Sequence, residues 1–213
     1  KASVFVGTSL DGFIARENGE FDFLPAGGGE PHGYDEFMAT VDALVIGRKT
    51  FETVLAFATW PYGEKPVFVL STRPPPHPPG AVIERMSGEP VEIVAQLFAR
   101  GVGHIYVDGG ITIQRFLRAG LMQRLIVTRV PVLIGSGIPL FGALQSDIVL
   151  RHVGTRQYAS GLVQSEYALT GLRHEPMDRE GGGSLGQRRD GRHPRAARPA
   201  QSRRQRCLSF LQA

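Results

Sequence analysis

The stretch Ile105-Tyr106-Val107-Asp108-Gly109-Gly110-Ile111-Thr112-Ile113-Gln114-Arg115-Phe116-Leu117 decides how this chain folds. A strand of buried type runs into a glycine pair, and the apolar residues Ile113, Phe116 and Leu117 then recur at i, i+3 and i+4. That pattern predicts strand, turn and helix, with the helix starting at the end of a sheet. Free N–H groups and the positive end of the helix dipole suit such a corner to a phosphate or pyrophosphate. Glycine there lets the backbone approach a ligand closely. A glycine pair also makes a plain tight turn, so the rest of the chain must choose between the two readings.

Working outward, strands and helices alternate through residues 1–130. Residues 2–8 are an uncharged, β-branched and aromatic run that suits a strand buried on both faces. Tyr34, Phe37, Met38 and Val41 form a helical stripe, residues 43–46 a short strand ending at Gly47, and Phe51, Val54, Leu55 and Ala58 a second stripe. Residues 65–70 and 81–86 read as strands, separated by the polyproline-type spacer Pro74-Pro75-Pro76-His77-Pro78-Pro79. Ser87 offers an N-cap to a helix with Val91, Val94, Ala95 and Phe98 as its buried stripe and Gly101 as its stop. After the helix that ends at Gly120, residues 121–132, 148–158 and 162–169 read as three strands with no helix between them. The last two are joined by a hairpin at Ala159-Ser160-Gly161. Parallel βα units followed by antiparallel strands predict one mixed α/β sheet over residues 1–172.

Composition separates that body from its end. The 213 residues carry a net charge of +4, but residues 173–213 alone hold ten Arg and no Lys against four acids. The body is therefore slightly acidic, and the basic isoelectric point belongs to the tail, so it does not argue for nucleic-acid binding. The Gly- and Arg-rich tail reads as a disordered basic extension. The single cysteine, Cys207, lies in it, which excludes an internal disulfide and a Cys-ligated zinc site. There is no apolar run of the roughly 18 residues that a membrane span needs and no visible signal peptide, so a cytoplasmic location is expected. The six histidines show no metal-ligand spacing, and no metal site is expected.

In open α/β sheets ligands bind at the C-terminal ends of the strands. Four such ends carry glycines, hydroxyls and basic residues: Gly7-Thr8-Ser9, Gly47-Arg48-Lys49-Thr50, Leu70-Ser71-Thr72-Arg73 and Asp108-Gly109-Gly110-Ile111. Together they predict a ligand with several phosphates, one of them an isolated monophosphate gripped by Arg48, Thr72 and Arg73, since the guanidinium fork meets phosphate oxygens two at a time. A triphosphate loop is excluded, because the position five residues before Gly47 is Asp42. The dinucleotide fingerprint G-x-G-x-x-G is missing as well.

Five segments carry a family resemblance: Ser9-Leu10-Asp11-Gly12-Phe13-Ile14-Ala15, Val45-Ile46-Gly47-Arg48-Lys49-Thr50-Phe51-Glu52, Val69-Leu70-Ser71-Thr72, Val107-Asp108-Gly109-Gly110, and Pro131-Val132-Leu133-Ile134-Gly135-Ser136-Gly137-Ile138-Pro139-Leu140-Phe141. In order and spacing they resemble the dihydrofolate reductase superfamily. Within it they are most similar to the reductase domain of the bacterial riboflavin-pathway deaminase–reductase. The resemblance spans residues 2–169 and implies a mostly parallel, eight-stranded sheet flanked by helices that binds NADPH. It places the backbones of Gly7 and Ile14 at the nicotinamide carboxamide, and Arg48, Thr72 and Arg73 at the 2′-phosphate. Lys49 and Thr50 would meet the pyrophosphate from one side, and Gly109, Gly110, Ile111 and Thr112 from the other. Leu70 and Ser71 would line the adenosine pocket. The activity implied is NADPH-dependent reduction of a small heterocyclic or imine substrate, of the 5-amino-6-(5-phosphoribosylamino)uracil reductase type. The zinc deaminase signature is missing, which implies a stand-alone reductase. A pterin reductase and an NADPH-binding module without turnover are the alternatives.

Three residues are candidates for the chemistry at the substrate. Glu36, with Asp35, lies near the helix position where dihydrofolate reductases hold the pterin by a carboxylate, or else belongs to the solvated face of its helix. Asp11 either bonds substrate at the mouth of the site or makes the Asp-Gly turn. Thr128 either presents its hydroxyl to the substrate pocket or simply suits its strand. Lys65 falls where folate enzymes have an arginine for the glutamate tail, and it lacks the fork geometry. The resemblance also makes a homodimer through the C-terminal strands plausible.

Overall fold

Every residue of the first strand, β1 (Ala2–Ser9), is buried, and the sheet is built around it. A computed structural model describes residues 1–25 and 31–169; the basic tail at 173–213 lies outside the described residues. The chain continues through β2 (Phe13–Ala15), α1 (Tyr34–Ala39), β3 (Ala43–Gly47), α2 (Arg48–Leu55), β4 (Val67–Leu70), β5 (Ile83–Met86) and α3 (Pro90–Ala99). It then forms β6 (Ile105–Asp108), α4 (Gly110–Arg118), β7 (Arg124–Val130), β8 (Ile138–Pro139), β9 (Leu150–Gln157) and β10 (Val163–Leu169). The eight-stranded sheet has the order β5-β4-β3-β6-β1-β7-β10-β9. All pairs from β5 to β7 are parallel, and β10 runs antiparallel to both β7 and β9. The mixed, mostly parallel eight-stranded sheet read from the sequence is the sheet observed.

Both faces of the central strands are covered, as crossover helices require. On one face Val4, Val45, Val107 and Leu125 pack against Ile93 and Leu97 of α3 and Ile113, Phe116 and Leu117 of α4. On the other, Phe5, Leu44, Ile46, Tyr106 and Ile126 pack against Tyr34, Phe37 and Met38 of α1 and Phe51 and Val54 of α2. Period-2 alternation in each strand assigns these sets to opposite faces.

Two expectations need correction. Helix α3 is capped by Glu89, not Ser87: Glu89 and Glu92 form a capping box and Pro90 takes the first helical position. The later start turns the helix, so that Pro90, Ile93 and Leu97 face the core while Val91 and Phe98 stay 59% and 76% exposed. In addition, β2 and β8 pair as a separate small antiparallel sheet, which strands this short do not announce by periodicity. Among the described residues no helix is long and apolar enough to cross a membrane, and no group of three or more His, Cys, Asp and Glu is placed to hold a metal ion.

Candidate active site

Strands β3 and β6 are parallel neighbours, with Ile46 beside Asp108, so their C-terminal ends deliver two helices side by side. Helix α2 starts after Gly47 and α4 after Gly109, and neither receives a side-chain cap. Each corner has the form Gly-x-x-Thr: Gly47-Arg48-Lys49-Thr50 and Gly109-Gly110-Ile111-Thr112. The two interlock reciprocally. A Cβ on Gly47 would lie 2.9 Å from the Thr112 hydroxyl, and a Cβ on Gly109 would overlap that of Thr50. Gly109 also adopts φ +94°, which favours glycine. The glycines thus bring two uncapped helix N-termini together, an arrangement of N–H groups of the kind that suits an anion.

Arg48, the first residue of α2, reaches toward the end of β4. Its Nη1 donates to the Pro74 carbonyl at 3.2 Å and its Nε to Glu52 at 2.6 Å. The turn beneath it is held by Ser71, whose hydroxyl accepts from the Arg73 N–H and donates to the Arg73 carbonyl. Thr72, Arg73 and Lys49 are exposed at the same edge, and Leu70 packs its side chain against the core. The pairing of β3 with β4 thus brings Arg48 to the segment that follows Thr72 and Arg73.

The small β2–β8 sheet roofs the other side of the corner. Gly110 lies under it, with Ile14 Cδ1, Ile138 Cγ2 and the Pro139 carbonyl at 3.0, 3.3 and 3.4 Å from where a Cβ would stand. Gln114 Nε2 donates to the same Pro139 carbonyl, and Ile111 at the helix start is exposed. Asp11 holds the loop before β8: its carboxylate accepts the N–H groups of Ile134 at 3.1 Å and Gly135 at 2.8 Å. A Ser9 hydrogen bond and these two N–H groups keep the carboxyl below its ordinary range, against desolvation. The structure thus gives Asp11 a cross-loop role in addition to its turn.

Across the sheet, Gly7, Thr128, Gln164 and Arg156 form one transverse row. Gly7 is buried. Thr128 is fully buried, and its Oγ1 accepts from Gln164 Nε2 at 2.9 Å; the same amide donates to the His32 carbonyl. Glu36 and Asp35 lie on the exposed side of α1, while Tyr34 and Phe37 face inward. The Glu36 carboxylate and the Arg156 guanidinium both approach Gly33. Lys65 donates to the Val41 carbonyl at 2.6 Å.

One acid that sequence reading passed over is half-buried at this edge. Asp108 ends β6 on the same sheet face as Tyr106, and one of its oxygens accepts the Gly109 N–H at 2.7 Å. Burial pushes its carboxyl up to about 6. The signal was available, because period-2 counting from Tyr106 puts Asp108 on the face covered by α1 and α2. An Asp before two glycines reads more readily as part of a turn.

Comparison with known proteins agrees with this geometry. The family model for the RibD C-terminal domain matches residues 2–164. The chain belongs to the RibD C-terminal domain family. Among members of known sequence, the uncharacterized protein YwjB of Bacillus subtilis is 34% identical over 170 residues, covering 78% of this chain and 97% of that one. The crystal structure of a candidate riboflavin biosynthesis protein from Shewanella sp. PV-4 is 39% identical with a TM-score of 0.73, covering 79% of this chain and 98% of the other. Dihydrofolate reductase from Enterococcus faecalis, complexed with NADP(H), shares the fold at 16% identity and a TM-score of 0.54, over 79% and 95% of the two chains. The chain is thus a RibD C-terminal-type domain that shares the fold of dihydrofolate reductase.

Proposed function

We propose that this protein is an NADPH-dependent reductase of the 5-amino-6-(5-phosphoribosylamino)uracil type, reducing a small heterocyclic or imine substrate. The carrying observation is the reciprocal pair of Gly-x-x-Thr corners, which supplies two adjacent helix N-termini to one diphosphate. Lys49, Thr50, Gly109, Gly110, Ile111 and Thr112 would hold the pyrophosphate, and Leu70 and Ser71 the adenosine. Arg48, Thr72 and Arg73 would distinguish NADPH from NADH by the 2′-phosphate. The backbones of Gly7 and Ile14 would orient the nicotinamide. NADPH supplies the hydride; reduction of an imine places that hydride on carbon and a proton on nitrogen.

The chain's own task is to position the substrate and hold that proton. Asp108, with its carboxyl raised to about 6, is half protonated in mildly acidic solution and faces the substrate side of the sheet. Thr128 would set the floor beside it, Asp11 would hold the overlying loop, and Glu36 would stand at the outer rim near Arg156. Lys65 is committed to the Val41 carbonyl, so a folate glutamate tail has no ready partner there, which favours the pyrimidine over the pterin. The test is NADPH oxidation at 340 nm with the phosphoribosylamino-uracil and dihydrofolate in parallel. Turnover of the pyrimidine is expected; turnover of dihydrofolate alone overturns the substrate assignment. NADPH binding with neither turned over supports a module without turnover. Beyond the small molecules, we infer a cytoplasmic protein that pairs with a second copy through the β9–β10 edge.

A further inference from the structure

A cavity of about 340 Å³ opens where β1 and β6 begin, at the edge of the sheet opposite the glycine corners. Val94, Leu97 and Phe98 of α3 line it together with Val102, Ile105 and Leu121, and its polar groups come from Lys1 and Gln123. The apolar lining continues onto the outside of α3. Val91, Val94 and Phe98 recur at i, i+3 and i+7, so one face of the helix runs from solvent into the cavity. Val91 and Phe98 on that face are exposed. A contiguous apolar surface of this kind is a place for another chain segment to settle.

The last described residue stands beside this cavity. Leu169, the end of β10, packs on the same core cluster as Val94, Val102 and Leu121. Its N–H donates to the carbonyl of Gln123 at 3.0 Å, and the Gln123 side chain is itself fixed, its Oε1 accepting the Ala2 N–H at 2.6 Å. The chain therefore continues from a residue bonded to the cavity lining. Among residues 170–184 only Leu172 and Met177 are large and apolar. Leu172 is three residues past Leu169, within about 10 Å of extended chain, and Met177 is eight past, within about 26 Å. The ten-residue α3 is only about 15 Å long. A segment tethered this closely acts at a millimolar effective concentration, whereas a second copy or a separate protein must reach the same surface from solution.

We propose that residues 170–177 are the occupant of this surface, with Leu172 entering the cavity beside Gln123 and Met177 covering Phe98. The surface is then a seat for the chain's own continuation. It lies across the sheet from the glycine corners and does not depend on the reductase reading.

The experiment pairs Leu172→Cys with Phe98→Cys in the full chain, with Cys207→Ser so that no other thiol is present. A short bifunctional maleimide is expected to link the pair within one chain, at a yield independent of protein concentration and several-fold above that of Leu172→Cys with Glu17→Cys. Leu172→Asp, which puts a charge into the cavity, is expected to lower Tm by about 4 °C or more, while Arg173→Asp leaves it unchanged. A yield no higher than that of the Glu17 pair overturns the assignment. Links between two chains that rise with concentration overturn it in favour of a second copy. A Leu172→Asp variant as stable as wild type overturns it as well, since a seated leucine cannot be replaced by a charge without loss.

Discussion

Gly110 lies directly beneath Ile14, leaving 3.0 Å between the Ile14 Cδ1 and the place where a glycine methyl would stand. The start of α4 and the small β2–β8 sheet are therefore in contact through a missing side chain. Gly110 itself has no left-handed backbone, so what requires glycine here is space and not conformation. Gly110→Ala is expected to cost about 1–3 kcal/mol by overpacking. Ile14→Val removes the contacting Cδ1, and the double variant should recover much of the loss. A double-mutant cycle in Tm checks this, and additive losses would contradict the contact.

Arg48→Ala tests the monophosphate grip. A charge-assisted hydrogen bond is worth roughly 1.5–3 kcal/mol, so NADPH affinity should fall about 10- to 150-fold. NADH affinity should hardly change. The ion pair with Glu52 is largely solvent-accessible, and losing it should move stability by no more than about 1 kcal/mol. Paired titrations with the two cofactors decide; equal losses for both would remove Arg48 from the 2′-phosphate site.

Asp108 makes stability depend on pH. Its carboxyl is raised from 3.8 to about 6 in the folded protein. Well below pH 3.8 both states hold the proton and the group is neutral to stability. As pH rises from 4 to 6 the unfolded chain ionises first, so the folded state loses stability, by ~3 kcal/mol at most. Asp108→Asn should therefore be more stable than wild type at pH 7 and equal to it at about pH 3, with substrate reduction impaired. Urea unfolding at the two pH values measures the difference.

Asp11→Asn should loosen the loop before β8. The carboxylate holds two backbone N–H groups, Ile134 and Gly135, and its lowered pKa means that this hold is present above pH 4 and lost as pH falls through the folded value. Faster proteolysis within residues 131–137, with the sheet intact by circular dichroism, is the expected result. Unchanged proteolysis would show that the loop is held otherwise.

The order of strands and helices was legible because burial on both faces writes continuous apolar runs into β1, β3, β4 and β6, and because Ile113, Phe116 and Leu117 mark one face of α4 unambiguously. The glycine corners were legible for a related reason: glycine ahead of a helix stripe fixes where the strand must end. The stripe of α3 was misread, since Pro90 and the Glu89–Glu92 box set its phase more strongly than Ser87 could.

The sequence by itself determined which strand ends bear ligand-binding residues, since that follows from local periodicity and residue chemistry. Only the tertiary structure decided which of them meet. Gly47 and Thr112 are far apart in the chain and touch because β3 and β6 are neighbours in the sheet. Arg48 reaches the Pro74 carbonyl because β4 lies beside β3. Asp108 became an acid with a raised pKa only when α1 closed over the sheet. Desolvation and hydrogen-bond satisfaction depend on everything packed around a group, and no local stretch of sequence records that.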